Sequence, residues 1–312
     1  MDKEKKITQG NKLFLCFEER IGQKRQTGKE STADLYRAVT NWLKQFTGGE
    51  GLEFGMITQL FVADFETFLE SKGLKTNSVN TYLSNFRALY HSVANEYKKK
   101  IKDDPFANLK IKPQPTAKRA LSRKVMEEIA GLKLDDKPEL KVAADLSLFS
   151  FMACGMAFVD LVHLKAENIK EGEIIYNRQK TGTEIRIGIT DGMKMILDKY
   201  RQEGTPYLFP LLKDENGSYE DYKLLLKCQN EALKEIGQFL VEPIVLTTYR
   251  FRHTWASEAL LCNTPMAVIS QALGHTSEKT TRFYLALLNQ SVMNKANKLI
   301  IKSVENLLVE AV

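Results

Sequence analysis

The chain is poor in the residues that build metal sites and disulfide frameworks. It has four cysteines and four histidines in 312 residues. Cys16, Cys154, Cys228 and Cys262 stand far apart with no Cys-x-x-Cys pair, which argues against both a zinc site and a disulfide framework. No stretch approaches the roughly 20 consecutive apolar residues that a membrane-spanning helix needs. The N-terminal Met1-Asp2-Lys3-Glu4-Lys5-Lys6 runs into a helix-like segment broken by Glu18, Glu19 and Arg20, unlike a secretory signal. There is also no glycine-rich loop to cradle a nucleotide phosphate, no carboxylate cluster and no internal repeat. These absences predict a cytoplasmic, reduced protein with no metal, no cofactor and no membrane partner.

What is present is the composition of an ordinary globular protein, 43% hydrophobic and 27% charged, at a length that favours two domains. The net charge of +6 is unevenly placed: residues 1–118 hold 20 basic against 14 acidic side chains, leaving 25 of each in the remainder. A basic first domain beside a neutral second one suggests a polyanion, most simply nucleic acid, although on charge alone a solvated lysine-rich surface is the favoured reading. Pro113 and Pro115 cannot sit inside a helix and favour an extended segment. They place a linker over 113–119, between a first domain of 1–112 and a second of 120–312.

The first domain reads as four helices. Leu13, Phe14, Phe17 and Ile21 recur at helical spacing, as do Leu35, Ala38, Val39, Trp42, Leu43 and Phe46. A short helix carries Phe61, Phe65, Phe68 and Leu69; a longer one, capped by Thr76-Asn77-Ser78, carries Val79, Leu83, Phe86, Leu89, Tyr90 and Val93. The polar positions of this fourth helix, Asn77, Thr81, Asn85 and Arg87, with Lys75 at its start, form a set suited to base edges and phosphates. A plain solvated face is the alternative. Lys118 and Arg119 in the linker are further DNA-contact candidates. The second domain is mostly helical, interrupted by two short strands, 173–178 and 184–189, about a Thr181-Gly182-Thr183 turn.

Four segments then carry a resemblance. Leu246-Thr247-Thr248-Tyr249-Arg250-Phe251-Arg252-His253-Thr254-Trp255 resembles the second motif of the tyrosine recombinases, the phage integrase family. Leu273-Gly274-His275 is followed nine residues later by Tyr284. Upstream, Gly155-Met156-Ala157-Phe158-Val159-Asp160-Leu161 stands in the place of the family's first motif, and Arg178-Gln179-Lys180-Thr181-Gly182 in the place of its hairpin lysine. The combination is far more specific than any one segment, and it extends over nearly the whole chain. The wording most resembles integrases of Bacteroidetes mobile elements. The implied fold is mainly α: a four-helix SAM-like core-binding domain, then a mostly helical catalytic domain with a small β-hairpin.

The resemblance implies a site-specific recombinase that cuts and rejoins double-stranded DNA through a 3′-phosphotyrosine, acting as a tetramer on synapsed sites. Such chemistry needs a placed nucleophile, cations against the phosphorane charge and an acid for the leaving oxygen. Tyr284 is the implied nucleophile, Arg252 and His275 the phosphate ligands and Lys180 the general acid. Two positions depart from the pattern. Ala157 replaces the first-motif arginine, and Tyr249 stands at the second-motif histidine, one helical turn before Arg252. Arg178 is a candidate replacement for the missing arginine, on the expectation that strand periodicity projects it to the same side as Lys180; a phosphate-backbone contact or a pair with Asp160 is the alternative. The first helix begins near residue 10, so no arm-binding domain is expected, and an apolar stripe over 292–308 suggests docking on a neighbouring protomer. Two rival functions remain at this stage: a catalytically impaired DNA-binding relative acting as a repressor or architectural factor, and a type IB topoisomerase-like relaxing enzyme.

Overall fold

Aromatic and aliphatic residues three and four apart fold the first unit. The computed structural model describes residues 12–96, 103–114, 120–209, 211–212, 217–277 and 281, and the chain divides into two compact units, 1–116 and 117–312. In the first, α1 (Lys12–Gln26), α2 (Glu30–Phe46), α3 (Gln59–Ser71) and α4 (Thr76–Glu96) enclose one core. Phe17, Phe65 and Phe86 are fully buried, with Phe65 and Phe106 meeting Phe86 edge-on at 5.6 and 5.0 Å, the arrangement that ring quadrupoles favour. Thr58 caps α3 by accepting the Phe61 N–H. At α4 the opening differs from expectation. Thr76 is the first helical residue, and the Lys75 carbonyl accepts the N–H groups of Ser78 and Val79.

The second unit is built around α6 (Pro138–Met152), preceded by α5 (Arg123–Gly131). Helix α6 is apolar on several faces because it packs against α8 (Asp191–Tyr200), α9 (Tyr219–Ile236) and α10 (Thr248–Leu261). The polar groups that this burial traps are paired. Gln229 of α9 donates to the Ala143 carbonyl and the Ser147 hydroxyl at 2.8 and 3.1 Å; Lys199 and Tyr200 of α8 reach the Asp145 carboxylate at 2.7 and 2.8 Å. After the short α7 (Phe158–Val162) comes an antiparallel sheet in the order β1 (Ile169–Lys170), β2 (Glu173–Asn177), β3 (Glu184–Gly188). The hairpin matches the sequence reading; the two-residue β1 adds an edge to it. Ile174, Tyr176, Ile185 and Ile187 alternate into the core. Residues 201–209 are not helical, unlike the continuous helical pattern expected there; Lys165 and Tyr207 form an isolated antiparallel bridge. The last described helix is α11 (Met266–Ala272). Among the described residues, no helix is long and apolar enough to cross a membrane.

Candidate active site

Three turns and one helix of the second unit converge on two arginines. Helix α6 ends in consecutive residues of positive φ, Cys154 at 55° and Gly155 at 68°, a reversal that glycine accommodates without a Cβ clash. It leaves the Gly155 carbonyl facing α10, where it accepts from Arg252 Nη1 at 2.8 Å. A Cβ on Gly155 would lie 3.0 Å from the Arg252 Cα, so the close approach itself requires glycine.

The Leu-Gly-His turn closes α11 by a Schellman arrangement. Gly274 N–H bonds to the Gln271 carbonyl, and His275 N–H to the Ser270 carbonyl, at 2.8 and 3.0 Å, with Gly274 at φ 61°. This geometry satisfies the helix end and turns two outward carbonyls toward the arginines. Arg252 Nη2 donates to Leu273 at 2.6 Å, and Arg178 Nη1 donates to Gly274 at 2.9 Å. The Thr181 hydroxyl reaches the same Gly274 oxygen at 3.2 Å. A side chain at Gly274 would meet Arg178 Cδ at 2.9 Å and Ile185 Cδ1 at 2.6 Å.

Arg178 and Lys180 do not share a strand face. Strand β2 stops at Asn177, paired with Glu184, and residues 178–183 form the connecting loop, in which the Arg178 carbonyl accepts from Thr181 and Gly182. The period-two expectation therefore fails: Arg178 is buried, while Lys180 is exposed. Burial brings Arg178 to Asp160, itself buried on α7. Arg178 Nε and Asp160 Oδ2, which have no hydrogen-bond partners among the described residues, face each other at 3.8 Å. The other carboxylate oxygen accepts the Gln179 N–H at 2.8 Å. Burial raises the Asp160 pKa, opposed by that N–H and by Arg178 and Arg252.

Arg252 is 4% exposed, and burial with the like charge of Arg178 pushes its pKa down to about 10, so it remains a cation at neutral pH. Its Nη2 lies 3.4 Å from His275 Nε2, while His275 Nδ1 is 2.8 Å from the Thr281 hydroxyl. Burial, then the charges of Arg252, Arg178 and Lys180, lower the His275 pKa to about 4. The imidazole is neutral under ordinary conditions. Two buried cations at one spot, with a single carboxylate beside them, form a site of unbalanced positive charge. It is the kind of site that an anion completes.

Arg252 also lines a cavity of about 620 Å³, together with Ala157, Tyr249, Asn230, Lys234 and Thr248 among others. Ala157 caps α7 with its backbone only. Tyr249 is 42% exposed and meets the His253 ring edge-on at 4.6 Å. Among the described residues, no three His, Cys, Asp or Glu side chains group to hold a metal ion.

The candidates of the first unit fare differently. Lys75 is exposed and Arg87 half-buried. The Asn77 carboxamide is engaged at both ends by the Gln114 backbone, at 2.8 Å each. The Thr81 hydroxyl donates to the Asn77 carbonyl, and Asn85 Nδ2 to the Thr81 carbonyl. Asn77 is paired by the extended segment before the linker, whereas Thr81 and Asn85 bond back to carbonyls one turn earlier in α4. Tyr284, Lys118, Arg119 and the stripe over 292–308 lie outside the described residues.

Residues 12–111 match the phage integrase SAM-like domain, and residues 122–291 match the phage integrase family. The chain is similar to tyrosine recombinase XerA of Pyrococcus furiosus, 24% identical over 222 residues that cover 69% of this chain and 72% of that protein. It is also similar to tyrosine recombinase XerD of Bradyrhizobium diazoefficiens, 25% identical over 289 residues covering 83% and 87%. Among solved structures, a Tn1549 transposon integrase in complex with circular intermediate DNA superposes with a TM-score of 0.61 at 15% identity, covering 87% of this chain and 94% of that one. A lambda integrase dimer bound to a COC′ core site gives 0.60 at 16% identity, with the same coverage. At such identities the structural likeness is one of fold.

Proposed function

The chain belongs to the phage integrase family of tyrosine recombinases, and on that premise we propose that it is a site-specific DNA recombinase acting on duplex DNA through Tyr284. The observation that carries this reading is the gathering of Arg252, Arg178 and His275 around the Leu273-Gly274 carbonyls. A scissile phosphate there receives two guanidinium groups and the imidazole. The Tyr284 oxygen attacks phosphorus, its proton passing to solvent, and the bond to the 5′ oxygen breaks. The leaving oxygen takes a proton from Lys180, giving a 3′-phosphotyrosine and a free 5′ hydroxyl. Reversal by a hydroxyl of another strand rejoins the DNA with no external energy, since the phosphodiester-like bond is kept.

Arg178 supplies the second guanidinium that Ala157 lacks. It arrives from the hairpin loop, with Asp160 3.8 Å from its Nε and its Nη1 donating to the Gly274 carbonyl. Tyr249, on the exposed turn before Arg252, offers a hydroxyl at the position of the family's histidine. Lys75, Arg87, Lys118 and Arg119 are phosphate contacts outside the site; Asn77, Thr81 and Asn85 would exchange their present bonds for DNA ones. The lambda integrase relative holds its core site as a dimer, and two such pairs make the tetramer that exchange between two duplexes needs. A cytoplasmic mobile-element integrase or invertase of the Bacteroidetes kind is the setting that the motif wording favours.

The test is a nicked duplex that traps the cleaved state, once its target sequence is identified. Wild-type protein should form a covalent adduct and Tyr284→Phe none, with DNA affinity unchanged, because one phenolic oxygen is removed. An adduct persisting in Tyr284→Phe would overturn the nucleophile. Absence of any adduct with the wild type would favour a DNA-binding relative without strand cleavage.

A further inference from the structure

The motifs account for Arg252, His275 and Tyr284 but leave Thr281 without a task. This threonine is fully buried, six residues after His275 and three before Tyr284 in sequence. Its hydroxyl is 2.8 Å from His275 Nδ1, whereas Nε2 of the same ring stands 3.4 Å from Arg252 Nη2. The first separation is that of a good hydrogen bond; the second is long for one, and a phosphate oxygen bridging the two groups would accept from both.

We propose that Thr281 is the positioning residue for His275, its hydroxyl donating to Nδ1 so that the imidazole's proton resides on Nε2, toward Arg252 and the phosphate. The inference rests on the reading of His275 as a phosphate ligand. Its chemistry is simple. A neutral imidazole carries one N–H, and the nitrogen that bears it is decided by what the other nitrogen meets. A carbonyl or carboxylate behind Nδ1 would draw the proton there and leave Nε2 an acceptor, useless to a phosphate. A hydroxyl is the small group that can donate instead. A buried hydroxyl also needs a partner, so ring and threonine hold each other. Because Thr281 lies between the histidine and the tyrosine, the same bond ties the segment leading to Tyr284 to the phosphate-binding cluster.

The test compares Thr281→Val, which keeps the shape and loses the hydroxyl, with Thr281→Ser, which keeps the hydroxyl and loses the methyl. Cleavage of the trapping duplex is followed at saturating DNA. Thr281→Val should slow adduct formation on the order of 10- to 100-fold, the cost typical of removing an orienting hydrogen bond behind a functional imidazole, with DNA affinity unchanged. Thr281→Ser should recover most of the rate. Combined with His275→Ala, Thr281→Val should add nothing further, since the two act as one unit. If His275→Ala is slow but Thr281→Val is as fast as wild type, or their effects multiply, Thr281 has no positioning role. If His275→Ala itself cleaves normally, the underlying reading of His275 fails first. Should Thr281→Val not fold, the imidazole ¹⁵N shifts of His275 in a Tyr284→Phe complex with DNA decide the matter. Protonation at Nε2 supports the proposal, and protonation at Nδ1 overturns it.

Discussion

The two units treat buried polarity in opposite ways. Among the described residues of the first, Thr40 is the only buried polar side chain, bonded to the Tyr36 carbonyl of its own helix; the rest of that core is aromatic and aliphatic. The second buries Asp145, Asp160, Arg178, Gln229, Arg252 and several hydroxyls. Desolvating an ion costs several kcal/mol even after relaxation, so a fold that hides two arginines beside one carboxylate gives up stability. The first unit is organised for packing, its core almost free of polar groups. The second sacrifices packing economy for a cationic cluster that only an anion balances.

The sharpest way to break this contrast is to substitute one core residue from each unit. Phe65→Ala should lower unfolding free energy by about 3–5 kcal/mol, the usual cost of an emptied aromatic site, while the cleavage rate of the protein that remains folded stays near wild type. Arg252→Leu should do the reverse, slowing cleavage by about 10²–10³ as a transition-state donor is lost, with little or no loss in the denaturation midpoint. A strongly destabilised Arg252→Leu would mean that the arginine is held for structure.

A smaller effect concerns salt. The affinity of a protein whose first unit contacts phosphates falls with ionic strength, with a log–log slope of about −0.9 per phosphate neutralised. Lys75→Glu with Arg87→Glu should flatten that slope by roughly two such units, leaving the saturated cleavage rate intact. An unchanged slope would move the DNA surface off α4.

The smallest expected effect is a pH dependence of stability. His275 titrates near 4 in the folded protein against about 6.5 when unfolded. Between those values the unfolded chain binds a proton that the folded one refuses. The stability present above pH 6.5 is therefore lost progressively as pH falls toward 4. Urea midpoints at pH 7 and pH 5 should differ less in His275→Gln than in wild type. Asp160, with its raised pKa, acts in the opposite sense in both proteins, so the comparison isolates the histidine.

Legibility in the sequence followed the range of the interactions. The four helices of the first unit repeat their apolar residues locally, and the hairpin alternates locally, so both could be read. Strand β1 spans only Ile169 and Lys170, too short for any periodicity. In the site, Arg252 and His275 announce themselves through motifs. Gly155 and Gly274 do not reveal that their missing Cβ atoms admit arginines from elsewhere in the chain, because that is a fact of tertiary contact. The expected shared face of Arg178 and Lys180 needs extended backbone through Lys180, but β2 ends at Asn177 and the chain turns at once, with the Arg178 carbonyl accepting from Thr181 and Gly182. Asn77 reads as a free polar position because its partner, Gln114, lies 37 residues away. Thr281 carried a signal, a threonine pair between His275 and Tyr284, but nothing local marks which hydroxyl meets the ring.

The central claim is that the second unit buries its charges for a phosphate, with Arg178 standing in for the arginine absent at Ala157. It is tested most directly by the single-turnover cleavage rate of Arg178→Ala at saturating DNA. The rate should fall by about 10²–10³, on the scale of a lost transition-state donor, while the DNA dissociation constant changes little. Adding Ala157→Arg should return part of the loss. A wild-type rate in Arg178→Ala would contradict the account and leave that arginine as a structural partner of Asp160.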